Sequence, residues 1–136
     1  MLSDKIYARI HTMEISEIEN QLKAIKEALL QVGEMRPGSL TEQYSVCGKK
    51  NCRCIDPKKP KKHGPYYQLS YVHAGKNTSR FIRPKFYQKI KQETEEYKKF
   101  KLLVDRWISI SIQYSQNKMD LEKKREANQK SKKLKL

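Results

Sequence analysis

Acidic residues are the scarce ones in this chain. Its 136 residues include 15 aspartates and glutamates against 30 lysines and arginines, for a formal net charge of +15. Only four are aspartates, Asp4, Asp56, Asp105 and Asp120, and they lie far apart. A centre that clamps two catalytic metal ions needs clustered carboxylates, so a two-metal nuclease or transposase site is not supported. Glycine is thin as well, at five residues, and no glycine-rich phosphate loop can be traced. No apolar run approaches the roughly 18 residues that a membrane span requires. Residues 1–5 lack the apolar centre of a secretion signal. These gaps predict a cytoplasmic protein with no membrane partner and no enzyme activity.

Cysteine is scarce and clustered. All three fall in Cys47-Gly-Lys-Lys-Asn-Cys52-Arg-Cys54, and His63 follows nine positions later. Three thiols cannot all pair internally as disulfides. Three thiolates and one imidazole do make a complete tetrahedral set for a structural Zn2+ ion. The expected ligands are Cys47, Cys52, Cys54 and His63, with His73 and His11 as alternative fourth ligands. Gly48 is expected to allow the tight turn after Cys47. The cations Lys49, Lys50, Arg53, Lys58, Lys59, Lys61 and Lys62 surround the thiols and are expected to lower their pKa. Asp56 is the sole candidate base for a zinc hydrolase and reads as a turn residue. Hydrophobic residues make up 37% and charged residues 33%. That is enough for a small core only, and a metal staple suits it.

The chain divides at 36, 84 and 121. Residues 1–36 read as a helix. Ile15, Ile18, Leu22, Ile25, Leu29 and Val32 recur at alternating spacings of three and four, one apolar seam. Ser16 and Glu19 are spaced for a capping box. Gly33 and Pro37 are stop signals. The seam is too short for a stand-alone coiled coil and is expected to meet another part of the chain.

Residues 37–84 read as a small β domain around the cysteines. Leu40, Glu42, Tyr44 and Val46 alternate with Thr41, Gln43 and Ser45. Residues 65–72 are the strongest strand, 74–77 a turn and 78–83 the return strand. Period-two alternation puts Tyr67, Leu69 and Tyr71 on one face, expected to share the core with Phe81. The other face is expected to carry Tyr66, Gln68, Ser70 and Val72, with Thr78, Arg80 and Ile82 beside them.

From Pro84 a long helical pattern runs over residues 85–121. Ile90, Tyr97, Val104 and Ser111 form a heptad line. Phe86, Phe100, Leu103, Trp107, Ile108 and Ile112 broaden it to an apolar face. Residues 122–136 are rich in lysine and read as a fraying, disordered basic tail.

So large a cation excess on so short a chain points to an anionic partner, and nucleic acid is the commonest one. The expected contacts are Lys49, Lys50, Arg53, Lys58, Lys59, Lys61, Lys62 and Lys76 on phosphates. Gln68, Ser70, Thr78 and Arg80 are expected on a sheet face that meets bases or phosphates.

The motifs together, Gly38-Ser39-Leu40, then Cys47-Gly48-Lys49-x-x-Cys52-Arg53-Cys54, then His63-Gly64-Pro65-Tyr66-Tyr67, resemble a family of uncharacterised prokaryotic domains often encoded near transposases. The resemblance spans about residues 36–106, taking in Gly75-Lys76, Arg80 and Pro84. It implies a mobile-element context and supplies no catalytic residues. A looser architectural resemblance is to the arm-binding domains of tyrosine-recombinase integrases, which lay a three-stranded sheet into DNA.

The expectation is therefore an α+β fold. A small three-stranded antiparallel sheet with a zinc knuckle is flanked by two helices that form an antiparallel hairpin. The function expected is that of a DNA-binding accessory protein of a mobile element. The alternative is an adaptor whose helical seams bind a transposase, a recombinase or a second copy in a homodimer. A zinc-dependent hydrolase or nuclease ranks third.

Overall fold

Three strands and two long helices account for most of residues 14–135, which the computed structural model describes. Helix α1 (Ile15–Leu30) precedes strands β1 (Ser39–Ser45), β2 (His63–His73) and β3 (Lys76–Ile82), and helix α2 (Tyr87–Leu134) closes the chain. The sheet is antiparallel in the order β1-β2-β3. The fold is α+β, as the sequence predicts. It divides into two units: residues up to Val32 together with those from Phe100 onward, and Gly33–Lys99. Helix α2 contributes to both.

The helical unit is held by the seam read from the sequence. Ile18 and Ile25 are buried against Ile110, and Leu22, Leu29, Leu103, Trp107 and Tyr114 complete the cluster. The helices run antiparallel. Tyr114 Oη donates to Glu19 Oε1 at 2.8 Å, and Arg106 donates to Gln21 Oε1 at 2.7 Å.

Three expectations for the helices need correction. Against α1, helix α2 sets Leu103, Trp107, Ile110 and Tyr114 rather than Val104 and Ser111 of the expected heptad line, whose Ile90 is buried in the sheet unit. The spacings of four, three and four keep one side of a 3.6-residue helix toward α1. Ile108 and Ile112 fall on the opposite side and stay exposed, at 54% and 66%. The capping box does not form. Glu14 is the N-cap residue and makes no side-chain cap bond, while Ser16 lies inside the first turn. Finally, α2 does not fray at 121 but continues to Leu134. Lysine, glutamate, glutamine and alanine are good helix formers. Gln116 Nε2 donates to Asp120 Oδ1 at 3.1 Å, and Arg125 pairs with Glu122 at 3.9 Å, each within a turn. This last stretch is exposed throughout.

In the sheet unit the register decides which side chains share a face. Leu69 pairs with Leu40 and Arg80, Tyr67 with Glu42 and Ile82, and Tyr71 with Thr78. Leu69 is fully buried. Tyr87 lies against Tyr67 with ring centroids 4.2 Å apart, and the Arg36 guanidinium sits 5.6 Å from the centre of the Tyr71 ring. Ile90 and Thr94, in the first turns of α2, are also buried. Arg36 N–H donates to Glu93 O at 3.2 Å.

The opposite face carries Thr41 beside Gln68, Gln43 beside Tyr66, Ser70 beside Ser79, and Phe81 beside Gln68. Phe81 is therefore not a core residue. It is 70% exposed, and the expected faces of β3 are exchanged. The return strand begins at Lys76 rather than 78. A two-residue turn at Ala74-Gly75 then sets Phe81 opposite Gln68 and Arg80 opposite Leu69. A one-residue change of register moves every side chain of a strand to the other face.

Candidate functional site

The cysteine loop joins β1 to β2 at one end of the sheet. Cys47 follows β1 closely, and Cys52 precedes a single 3-10 turn, Arg53–Ile55, that places Cys54. Ile55 N–H donates to Cys52 O at 3.2 Å and Lys61 N–H to Arg53 O at 2.9 Å, so the lysine-rich return is tied back onto the turn. Asp56 Oδ1 accepts from Lys58 N–H at 2.9 Å, which makes Asp56 the turn residue the sequence suggests.

His63 is aimed by a bulge at the start of β2. Gln43 pairs with Tyr66 and Ser45 with His63, so Gly64 and Pro65 together face Tyr44 alone. An extra residue of this kind bends a strand and re-aims its neighbours. Gly64 is required there. Its φ is +139°, and a Cβ would lie 2.7 Å from Gln43 O and 2.9 Å from Tyr44 Cδ1. The sequence reading put that demand on Gly48, which lies in open space. Proline at 65 suits the bulge because no ladder donor is needed from it.

The result brings the four predicted ligands together. Cys47 Sγ lies 3.6 Å from Cys54 Sγ, and Cys52 Sγ lies 3.0 Å from His63 Nε2. All four ligand atoms fall within 4.8 Å of one another. A zinc tetrahedron with Zn–S near 2.3 Å and Zn–N near 2.0–2.1 Å has edges of about 3.8 Å between sulfurs and about 3.6 Å from sulfur to nitrogen. The cluster fits a small tetrahedral metal ion. It is the one group of this kind among the described residues. His73 is excluded as a ligand, because it pairs with Lys76 at the far end of the eleven-residue β2. His11 lies outside the described residues.

The thiols differ in acidity, and the cause is not the one expected. Hydrogen bonding lowers the Cys52 pKa to about 6, first from the Cys54 backbone N–H, then from the Cys47, Cys54 and His63 side chains. Burial raises that of Cys54, which is 2% exposed. The surrounding lysines were expected to acidify all three. They are exposed, however, and water screens them.

The predicted nucleic-acid contacts fall in two groups. Lys49, Lys50, Arg53, Lys58, Lys59, Lys61 and Lys62 are all exposed on the cysteine loop, and Lys76 is exposed at the β2–β3 turn. Gln68 and Ser70 share the open sheet face, where Gln43 Nε2 donates to Gln68 Oε1 and the Ser70 and Ser79 hydroxyls lie 3.0 Å apart. Thr78 and Arg80 lie on the other face, with Leu69. The four cannot read one ligand together. Sequence reasoning placed Tyr66 on the open face without naming it a contact and put Phe81 in the core; they are 45% and 70% accessible. The turn length, had it been taken as two residues, was the signal for Phe81.

No helix among the described residues is long and apolar enough to cross a membrane. No curated protein and no solved structure matches the chain. A family model does match, over residues 15–92, which take in α1, the whole sheet, the cysteine loop and the start of α2. That span is more than half of the chain, and the chain belongs to this family, DUF6788, described as a domain of unknown function.

Proposed function

We propose that the protein is a non-enzymatic, zinc-held nucleic-acid-binding accessory or regulatory protein of a mobile element, with DNA as its partner. One observation carries the reading. Four metal-ligating atoms converge on a loop that itself presents seven exposed cations. Zinc is the ion that a Cys3His tetrahedron without redox chemistry selects. Its role here is structural, because all four positions are filled by side chains. A reducing, cytoplasmic setting keeps the thiolates available. From residue 43 to residue 85 there are eleven lysines and arginines against Asp56 alone, a local field suited to phosphates. The mobile-element context rests on the resemblance of the Gly-Ser-Leu, cysteine and His-Gly-Pro-Tyr-Tyr motifs.

A second reading has its own observation. Ile108, Ile112 and Met119 lie exposed along α2, away from the α1 seam, at 54%, 66% and 50%. Such a stripe suits an adaptor that holds a transposase, a recombinase or a second copy.

A salt titration separates the two. Each phosphate neutralised on a duplex steepens the plot of log affinity against log salt by about 0.9. Replacing Lys58, Lys59, Lys61 and Lys62 by glutamine should weaken binding to every sequence and flatten that slope. Deleting residues 123–136 should do the same to a lesser degree. Arg80→Ala, on the other sheet face, should change little. DNA binding that vanishes near physiological salt in all variants alike, with a mass by light scattering that exceeds one chain, would favour the adaptor.

A further inference from the structure

The open face of the sheet has a composition unlike the rest of the chain. By register it carries Thr41, Gln43, Tyr66, Gln68, Ser70, Val72, Ser79 and Phe81, with no lysine, arginine, aspartate or glutamate. In a chain that is 33% charged, an exposed face of amides, hydroxyls and aromatic rings is unusual. Nothing in its own unit covers its rings: Phe81 is 70% exposed and Tyr66 45%. They are diagonal neighbours, because Phe81 pairs with Gln68, two residues along β2 from Tyr66. Diagonal positions on adjacent strands lie about 7–8 Å apart. Cations stand at both ends of the sheet, on the cysteine loop and at Lys76, and leave the face between them neutral.

We propose that this face is a stacking platform for single-stranded DNA, with Phe81 and Tyr66 under successive bases and the Gln43–Gln68 pair on a base edge. The inference rests on the nucleic-acid reading above and narrows it. The ends supply phosphate contacts, and the neutral middle supplies the base contacts that a charged face cannot. A duplex hides its base faces in the stack and shows only edges in its grooves. Exposed rings on an open sheet have nothing to stack on there, whereas an unpaired strand offers a π-face at every base. The exposed methyl groups of Val72 and Thr41 suit the thymine methyl, which uracil lacks, and that favours DNA over RNA.

Fluorescence anisotropy on the full chain, as purified with its metal, tests this. The probes are a short labelled oligothymidylate, the matching oligouridylate and an oligo-dA·oligo-dT duplex. The wild type should prefer oligothymidylate to both. Phe81→Ala and Tyr66→Ala should each weaken that binding by roughly 5- to 150-fold and leave the salt slope unchanged, since stacking releases no counterions. Phe81→Tyr should retain binding and Phe81→Leu should not. Unchanged circular dichroism and metal content show that the variants are folded. Duplex preference, or indifference to Phe81 and Tyr66, would overturn the platform and leave the nucleic-acid reading standing. Preference for oligouridylate would overturn the choice of DNA. If no probe binds even at low salt, both readings fall. A change of oligomeric mass in Phe81→Ala with no change in oligothymidylate binding would assign the face to a second copy instead.

Discussion

The two units of this chain differ in what their side chains offer to hold them. In the helical unit, three isoleucines are buried and five further apolar or aromatic side chains lie against them. In the sheet unit, the buried side chains are Cys54, Leu69, Ile90 and Thr94, spread over 67 residues. Burying one large apolar side chain contributes about 1.5–3 kcal/mol. Ordering each backbone residue costs about 1–2 kcal/mol. Both units face that cost, and the helical seam offsets more of it by burial. A sheet with one fully buried leucine and an open second face buries less apolar area, and the cysteine cluster is its candidate staple. The same chain thus offers apolar area in one place and a Cys3His cluster able to hold a metal ion in the other.

Removing the metal should break this comparison most visibly. Structural zinc in finger peptides contributes about 10–16 kcal/mol at neutral pH. Chelation, or Cys52→Ser, should therefore unfold the sheet unit while the α1–α2 seam persists. Elemental analysis should find one zinc per chain in protein purified without added metal. Hydrogen exchange should then show protection lost across β1–β3 and kept at Ile18, Ile25 and Ile110. Joint loss in both units would mean that one cooperative core serves the whole chain.

Truncating the seam should give the converse at smaller amplitude. Ile110→Ala removes a side chain that is 2% exposed and should cost about 2–5 kcal/mol. The expected signature is a lower urea midpoint for helix unfolding with zinc content unchanged. Leu22→Ala, at a half-buried position, should cost less. Leu69→Ala, fully buried in the sheet unit, should show its full effect only after chelation. Equal zinc loss in Ile110→Ala and Leu69→Ala would show that the two units do not keep separate accounts.

The contrast also explains what the sequence made legible. The α1 seam was readable because six apolar residues repeat at helical spacing and depend on nothing distant. The four residues that could hold a metal were readable because three cysteines in eight residues leave few alternatives. The partner face on α2 was harder. Its apolar residues surround the helix, so periodicity alone did not separate Ile110, which is buried, from Ile108 and Ile112, which are not. The faces of β3 turned on the length of one turn. The bulge that aims His63 is set by a register shift between distant strands, and the motif Gly64-Pro65 shows it only once Gln43 and Tyr44 are known to lie against it. Local patterns were legible, and the pairings that cross the chain were not.

The smallest expected effect concerns a single contact that closes the sheet unit. Gly33 N–H donates to Glu96 Oε2 at 3.1 Å, and Lys99 Nζ lies 3.0 Å from Glu96 Oε1. Together these hold the Glu96 carboxyl below its usual 4.5, the Gly33 N–H first and Lys99 second. A carboxylate with a depressed folded pKa stabilises the fold fully above the ordinary value, and its contribution fades as pH falls through the folded one. The Gly33 amide proton should therefore titrate with a midpoint under 4.5, whether or not the cysteine cluster has released its metal by then. Glu96→Gln keeps an acceptor for the Gly33 N–H but carries no charge, so that titration should disappear while the amide stays protected at neutral pH. A Gly33 midpoint at the ordinary carboxylate value would mean that the contact does not form in solution. The start of the sheet unit would then be fixed by Arg36 N–H on Glu93 O and by whatever metal the cysteine cluster holds.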